Sequence, residues 1–430
     1  MLFKPVSSPF IAYKNDKLYI ESLSVKEIQN RLSTESPFVL YSKKAIESAW
    51  DGYKNILGKY PNSLICYAVK ANSNLSLLKL FVSLGAGFDI VSGGELKRCL
   101  EVGADTNKII FSGVGKQSWE IKLALESGIK CFNVESEFEL ENIATIAREL
   151  GLKARISLRV NPDIDARTHP YISTGLKENK FGIDFSRALD VYLYAASIDA
   201  LEIVGIDCHI GSQILEIEPY LDAADRVIEL IKQIRSHGIY LSHLDIGGGV
   251  GIRYSNENPI DIVCLRASID AKLRSAGLEH MLVIMEPGRS LVGNSAILVA
   301  QVLGIKKTDY KNFAIINAGM NDLIRPSLYE AYHGVLPVQI RKGEATKYDI
   351  VGPICETGDW LAKDRKLVLQ AGDLIAIESV GAYGTSMASN YNSRPFLAEY
   401  LVDDAELCMI RKAQGLEDIW RLEAELISRC

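Results

Sequence analysis

The stretch SLICYAVKAN at residues 63–72, followed by LSLLKLFVSLGA at 75–86, sets the pattern that decides the fold. A short apolar run with a β-branched residue precedes a polar turn and then a segment whose apolar residues have helical spacing, which indicates one β-strand and one α-helix. The same unit recurs along the chain, with further apolar runs at 87–92, 108–113, 131–136, 154–162, 202–211, 241–249 and 281–289. Eight strand–helix units in succession predict a closed (β/α)₈ barrel of the TIM type.

The sequence on either side of this region has a different pattern. Residues 9–24 alternate apolar and polar residues around Asn15-Asp16, which predicts a β-hairpin. Short apolar runs after residue 290 predict a second domain of mostly antiparallel strands, a β-barrel or sandwich, and they lie at 296–305, 312–319, 337–342, 347–353 and 373–379. We therefore expect a barrel at residues 36–290 and a β domain formed by residues 1–35 and 291–430.

The composition excludes several classes of protein. The 430 residues include 48 Lys and Arg against 54 Asp and Glu, a net charge of −6, which argues against nucleic-acid binding because phosphates need a basic face. No run approaches the 20 or so apolar residues of a membrane span, and the N-terminus lacks the apolar core of a secretory signal. Eight cysteines without CxxC spacing predict free thiols in a reducing cytoplasm.

Charged residues inside the predicted barrel strands point to an active site. Lys70, Asp89, His209 and Glu286 lie in or at the carboxyl ends of strands that are buried on both faces. One inward charge could belong to a structural ion pair. Several that converge on one rim favour an active site, because clusters of buried charges mark functional sites.

A glycine-rich turn indicates a phosphate site. The seventh strand ends in DIGGGVG at 245–251, and the eighth ends in EPGR at 286–289. Taken alone, the glycines fit an ordinary strand-to-helix turn equally well. Barrels, however, commonly bind phosphate at the loops after strands seven and eight, where backbone N–H groups and the Arg289 guanidinium would suit a phosphate monoester.

A phosphate site, an inward lysine, a histidine and a carboxylate together suggest pyridoxal 5'-phosphate as cofactor. The lysine would hold the cofactor aldehyde as a Schiff base. The sequence has no H-E-x-x-H or CxxC pattern, so we expect no metal site, and it has no G-x-S-x-G nucleophile elbow.

Seven motifs resemble the bacterial diaminopimelate decarboxylases, which are fold-type III pyridoxal-phosphate enzymes. These motifs span essentially the whole chain and read YAVKAN (67–72), HIGSQI (209–214), DIGGGVGI (245–252), EPGRSLVG (286–293), RPSLYEAYH (325–333), GPICETGD (352–359) and GAYGTSMASNYNSRP (381–395). The resemblance implies a lyase that converts meso-2,6-diaminopimelate to L-lysine and CO₂ in lysine biosynthesis. Ornithine and arginine decarboxylases share the lysine, glycine-loop and EPGR elements, so an enzyme of that type stays an alternative, as does a non-catalytic decarboxylase-like binding protein.

The resemblance also assigns roles to single residues. Lys70 would bind the cofactor covalently, His209 would stack on its ring, and Glu286 would pair with the pyridine nitrogen. The remaining cofactor contacts would come from Asp89, Ser212, Gly248, Gly249, Pro287, Gly288, Arg289 and Tyr383. The substrate contacts would come from Arg289, Arg325, Tyr329, Glu356 and Tyr383.

The β domain would complete the active site of a second subunit. The resemblance implies a homodimer in which Cys355, Glu356 and Tyr383 reach the partner's site, with Cys355 as the proton donor. The local sequence alone favours an ordinary buried thiol at Cys355. The loop from Thr168 to Gly175 follows the fifth strand, and we expect it to act as a mobile lid.

Overall fold

Eight strands of one sheet form the predicted barrel. Each strand pairs in parallel with the next, and the last pairs with the first, where Val283 lies opposite Ser63, so the ring closes. The strands are Ser63–Ala68, Gly87–Ile90, Ile109–Phe111, Cys131–Val134, Ala154–Asn161, Leu201–Asp207, His243–Asp245 and Leu282–Met285. A short strand, Ile183–Asp184, adds to the edge of Ala154–Asn161. The (β/α)₈ prediction is confirmed.

This computed structural model describes residues 4–32, 37–165, 180–424 and 426–427. The chain divides into two compact units. We call them the β unit, which consists of Met1–Ala49, Arg253–Glu257 and Leu291–Cys430, and the barrel unit, which consists of Trp50–Ile252 and Asn258–Ser290. The lid predicted at Thr168 to Gly175 lies outside the described residues and stays a prediction.

Several helices of the barrel begin at a residue whose side chain caps the first turn. Asn74, Ser92, Ser136 and Asp261 each accept a hydrogen bond from a backbone N–H of the first turn, which satisfies a donor that the helix leaves unpaired. The helices are Lys43–Lys59, Leu75–Ser83, Gly93–Glu101, Ser118–Ser127, Glu137–Leu150, Ala188–Ala196, Glu218–Ser236, Ile262–Ser275 and Arg289–Val292, with 3₁₀ turns at Val69–Ala71 and Thr106–Lys108.

The β unit holds the predicted hairpin. Ile11–Lys14 pairs antiparallel with Lys17–Ile20, which pairs with Leu23–Ser24. Asn15 and Asp16 have φ of 49° and 60°, the left-handed values that a two-residue hairpin turn requires. The side chains of Ile11, Leu18 and Ile20 join the apolar core of this unit.

A larger, mostly antiparallel sheet completes the β unit and confirms the second fold prediction. Its strands are Phe38–Ser42, Ala296–Lys307, Asn312–Ile316, Val335–Pro337, Thr346–Val351, Trp360–Leu367, Leu374–Glu378, Ala398–Asp403 and Glu406–Arg411. Two of the pairings are parallel. The helices of this unit are Val25–Arg31, Arg325–Tyr329 and Leu416–Ala424, and its 3₁₀ turns are Gly293–Ser295, Thr385–Met387 and Tyr391–Ser393.

Two sequence expectations need correction. We placed the start of the barrel at residue 36, but Phe38–Ser42 pairs with Ala296–Lys307 and with Ala398–Asp403 in the β unit. These partners are more than 250 residues away in sequence, so no local pattern identifies them. The strand expected at 337–342 instead lies at Val335–Pro337, and Gln339 beyond it forms an isolated bridge with Lys17. No helix within the described residues is long and apolar enough to cross a membrane.

Candidate active site

Lys70 lies at the carboxyl end of the first barrel strand, next to Asp89. The strand ends at Ala68, and Lys70 lies in the 3₁₀ turn Val69–Ala71 that follows, so it stands just beyond the strand. The lysine still faces the barrel rim, because its Nζ lies 3.5 Å from Oδ2 of Asp89, whose side chain is fully buried. The half-exposed amine is therefore accessible at the rim.

Three buried carboxylates form a cluster below this rim. Oxygens of Asp207, Asp245 and Glu286 lie within 4.8 Å of one another, and each residue is buried. Burial, and then the charge of Asp245, raises the pKa of Glu286 well above its usual value. Burial also raises the pKa of Asp207 and brings that of Asp245 to about 7. The cluster therefore favours cationic or proton-bearing partners.

Arg159 offsets part of this negative charge. Its Nε lies 3.9 Å from Oδ2 of Asp207, while its Nη1 donates to Oε1 of Glu135 at 2.8 Å. Glu135 also accepts from the backbone N–H groups of Gly113 and Gly182. The guanidinium is thus held by a carboxylate that the surrounding backbone fixes in place.

Sequence reasoning missed Glu135 and its neighbour Asn133. The Asn133 side-chain amide lies 3.5 Å from Oε1 of Glu286 and donates to Oγ of Ser112. Strand alternation in CFNVES places residues 133 and 135 on one face, so the signal was present. It was overlooked because the fourth strand carries no recognisable motif.

The glycine loop packs directly on the strand ends. The N–H of Gly247 donates to Oδ1 of Asp245 at 2.9 Å, and the N–H of Gly248 donates to Nδ1 of His209 at 3.1 Å. A side chain at Gly249, where φ is +95°, would come within 2.2 Å of the carbonyl oxygen of Gly211. Only glycine allows this approach.

The hydrogen bond to His209 fixes the form of its ring. Because the backbone N–H donates, Nδ1 is an unprotonated acceptor. Desolvation, followed by the positive charges of Arg159 and Lys70, lowers the pKa of His209 well below its usual value. His209 is therefore a neutral ring at physiological pH, as stacking against an aromatic cofactor requires.

Ser212 and Arg289 lie together at the same rim, a hydroxyl and a guanidinium that suit an anion. Nη2 of Arg289 donates to Oγ of Ser212 at 2.9 Å. The preceding turn is close-packed: the carbonyl of Pro287 accepts from the N–H of Ala68, and a Cβ at Gly288 would lie 3.0 Å from that of Ala71. The EPGR turn and the Lys70 turn are thereby held together.

These groups fit pyridoxal 5'-phosphate. Among the described residues, Oδ1 of Asp89, Oδ1 of Asp207 and Oδ2 of Asp245 are buried without a hydrogen-bond partner, which is costly unless a ligand offers donors or positive charge. A protonated pyridine ring offers both. The rim supplies an amine for its aldehyde and a guanidinium with a hydroxyl for its phosphate. The expectation of no metal stays a prediction, since the carboxylate oxygens could also ligate a cation.

The β unit holds the other predicted residues on three segments of the chain. Arg325 is buried at the start of helix Arg325–Tyr329, and its Nη1 donates to the hydroxyl of Tyr254 at 2.7 Å. Tyr329, at the other end of that helix, is half-buried, as is Tyr383, which has a φ of 56°.

Cys355 and Glu356 lie together on an exposed loop. The loop turns around Asp359, whose carboxylate accepts from the N–H groups of Ile354 and Met320. Glu356 accepts from the hydroxyl of Tyr391 at 2.7 Å. Because Cys355 is exposed, the interpretation of its thiol as an ordinary buried one is wrong.

Comparisons with known proteins agree along nearly the whole chain. Residues 43–293 match the family described as "Pyridoxal-dependent decarboxylase, pyridoxal binding domain". The diaminopimelate decarboxylase of Vibrio cholerae is 50% identical over 97% of this chain and 99% of its own. The crystal structure of diaminopimelate decarboxylase from Helicobacter pylori complexed with L-lysine has a TM-score of 0.88 at 48% identity, covering 93% of this chain and 99% of that one. The enzyme from M. jannaschii in co-complex with L-lysine has a TM-score of 0.92 at 33% identity, covering 97% and 98%.

Proposed function

The chain belongs to the diaminopimelate decarboxylase family, and on that premise we propose that it converts meso-2,6-diaminopimelate to L-lysine and CO₂. The observation that carries the proposal is the barrel rim, where an accessible lysine, a serine–arginine pair and a buried carboxylate cluster converge. The expected class, a pyridoxal-phosphate-dependent carboxy-lyase of lysine biosynthesis, is confirmed by the family. Nothing in the comparisons favours the ornithine/arginine-type or the non-catalytic alternative.

Pyridoxal phosphate would be held at both ends by barrel residues. When bound, it supplies an electron-poor ring that accepts the electron pair released as CO₂ departs. Lys70 offers the amine that binds its aldehyde. Ser212, Arg289 and the backbone N–H groups of Gly249 and Gly288 would bind its phosphate, assisted by Tyr383.

Glu286 would keep the ring nitrogen protonated. The buried carboxylate lies in a cluster that is short of positive charge, so a proton shared with the ring relieves repulsion among Asp207, Asp245 and Glu286. Asn133 orients the Glu286 carboxylate from one side. His209, neutral and packed on the glycine loop, offers a flat face for stacking.

The substrate would be anchored by its far end. Diaminopimelate carries two amino-acid groups, so one must be held while the other reacts. Arg325, assisted by Arg289 and Tyr329, would bind the far carboxylate, because a guanidinium fork binds carboxylates bidentately. Glu356 would bind the far ammonium group. L-lysine should be a product and not a further substrate, because its single carboxylate cannot be held by the arginine and react at the same time.

Cys355 would return the proton that replaces CO₂. Its thiol is exposed on a loop and can approach a substrate without displacing core residues. We propose that this approach occurs between two copies of the chain. The protein would thus be a homodimer in which Cys355, Glu356 and Tyr383 reach the partner's barrel rim. We also propose that it acts in the cytoplasm.

A substrate panel tests the function. The purified protein with pyridoxal phosphate is incubated separately with meso-diaminopimelate, ornithine and arginine, and CO₂ and amine products are measured. We expect turnover of diaminopimelate to exceed that of the other two by about 10⁴-fold, because an unpaired buried arginine penalises substrates that lack the far carboxylate. Ornithine turnover without diaminopimelate turnover would contradict the proposal.

Mixing two inactive variants tests the shared site. K70A and C355A are each expected to be inactive, and a dimer that contains one of each has one site with both residues intact. Random exchange should restore about one quarter of the wild-type activity, as expected for a two-fold symmetric dimer. No recovery after proven subunit exchange would place both residues in the site of one chain.

A further inference from the structure

His333 ends the RPSLYEAYH motif and has no role in the function proposed above. Its side chain is completely buried, and its Nδ1 lies 2.8 Å from the backbone carbonyl oxygen of Glu378. A carbonyl oxygen only accepts hydrogen bonds, so Nδ1 carries the ring proton. The other nitrogen, Nε2, therefore presents a lone pair.

That lone pair faces Arg325. Nε2 of His333 lies 3.2 Å from Nη1 of Arg325, and a guanidinium nitrogen can only donate. The same Nη1 donates to the Tyr254 hydroxyl at 2.7 Å. The Tyr254 and His333 rings pack edge to face, with centroids 5.4 Å apart, so each ring limits the movement of the other.

Both contacts orient the guanidinium without cancelling its charge. A neutral imidazole and a phenol are hydrogen-bond acceptors but not counter-ions, so these contacts leave the positive charge available to a carboxylate. Fixing the fork before binding lowers the entropy cost of a bidentate contact. A carboxylate in either position would instead compete with the ligand.

We propose that His333 is a positioning residue for substrate recognition, holding Arg325 in the orientation that binds the far carboxylate of the substrate. The inference rests on the proposed function, which gives Arg325 that role. The same carboxylate persists in the product, L-lysine, and is absent from cadaverine. His333 thereby contributes to discrimination between ligands with and without this carboxylate.

L-lysine and cadaverine differ by this carboxylate, so comparing their binding tests the proposal. In the holoenzyme, H333L removes the acceptor, and we expect KM for diaminopimelate and the inhibition constant of L-lysine to rise about 10-fold, as for loss of a hydrogen bond to a charged group. Inhibition by cadaverine and kcat should change less than about 2-fold, because neither depends on the far carboxylate. H333Q, whose amide oxygen can accept from Arg325, should restore most of the lysine affinity.

Two further variants connect the effect to Arg325. In an R325L background, H333L should weaken lysine inhibition by less than about 2-fold more, since the residue through which it acts is gone. If H333L does not fold, Y254F removes the second acceptor and should show the same pattern at about 3-fold. H237L, at an exposed histidine of the barrel unit, is the control and should match the wild type.

Other outcomes overturn the inference. Equal weakening of lysine and cadaverine, or a fall in kcat at constant KM, would mean that His333 only supports the fold. A wild-type protein that does not decarboxylate diaminopimelate would refute the proposed function instead. Calorimetric binding of L-lysine and cadaverine to wild type and H333L would then still decide whether His333 governs carboxylate recognition.

Discussion

The barrel rim and the β unit expose their candidate site residues very differently. On the rim, Asp207, Asp245 and Glu286 lie within 4.8 Å of one another and are almost completely buried. In the β unit, Cys355 and Glu356 lie on an exposed loop. Burying three carboxylates within a few ångströms is unfavourable unless positive charge compensates it, whereas an exposed thiol and carboxylate have no such cost.

This difference separates two ways of building a site. The rim is organised before the cofactor binds, and the protonated ring nitrogen of the cofactor would offset the repulsion among the buried carboxylates there. The exposed loop is organised only in part, because Tyr391 and Asn392 orient it while its reactive groups remain in solvent. We expect variants of the rim to act through the cofactor and variants of the loop to act through the substrate.

The largest effect is expected for K70A. Removing the amine should lower turnover by about 10³-fold or more, because the cofactor loses its covalent attachment and a base that returns at the end of each cycle. Loss of the visible absorbance of the lysine-bound cofactor measures the attachment directly. K97A, at an exposed lysine, should behave as wild type. A K70A protein that kept this absorbance would require another lysine.

C355A should affect the substrate step while sparing the cofactor. We expect turnover to fall by about 10²- to 10⁴-fold, the range for loss of a proton donor, with unchanged cofactor absorbance. C408A is the matched control, since Cys408 is another exposed thiol of the β unit. If both variants stayed active, the proton would have to come from another group.

D245N tests whether the buried Asp245 carboxylate lowers the stability of the cofactor-free protein, because the variant changes how stability depends on pH. The pKa of Asp245 rises from 3.8 to about 7 in the folded chain, chiefly by burial and with the charge of Asp89 contributing. A raised carboxyl pKa means that the folded state binds the proton more tightly, so the free energy of unfolding falls as pH rises from about 4 through 7.

The asparagine does not titrate, so the Tm of cofactor-free D245N should rise relative to wild type across that interval. The expected gain is about 2–4 °C for each kcal/mol that ionised Asp245 costs. Scanning calorimetry between pH 4 and 8 measures it, with exposed D199N as the control. A difference in Tm that is independent of pH would mean that Asp245 does not change its protonation there.

Y391F should have the smallest effect. It removes one exposed hydrogen bond to Glu356, so KM for diaminopimelate should rise by at most about 3-fold with kcat unchanged. Y310F, at a side chain that is 95% exposed, is the control. An increase above about 20-fold would show that the loop is as firmly organised as the rim.

The sequence was most predictive for residues that lie in or directly after a single barrel strand. All eight barrel strands were found from apolar runs, and Asp89, Glu286 and the glycine loop lie at the predicted rim. Strand alternation does not orient Lys70, because the strand ends at Ala68 and the lysine lies in a 3₁₀ turn. It could have identified Glu135, yet nothing in the sequence says that Glu135 meets Arg159.

The β unit was less predictable because its contacts are not local. Phe38–Ser42 finds partners at 296–299 and 398–402, and the Arg325 guanidinium is oriented by Tyr254, which is 71 residues away in sequence. The local sequence favoured a buried thiol at Cys355, but Cys355 is exposed while its neighbour Ile354 is buried.

The barrel, the family and the types of residue at the site can be predicted from the sequence, because periodicity and motifs are properties of short segments. Which of those residues interact electrostatically, and which of them carry a proton, depends on the folded chain. The closed barrel brings Asp207, Asp245 and Glu286 close together, and hydrogen bonds with Glu378 and Arg325 make His333 a neutral acceptor. Protonation depends on desolvation and on neighbours from distant strands, and only the folded chain supplies both.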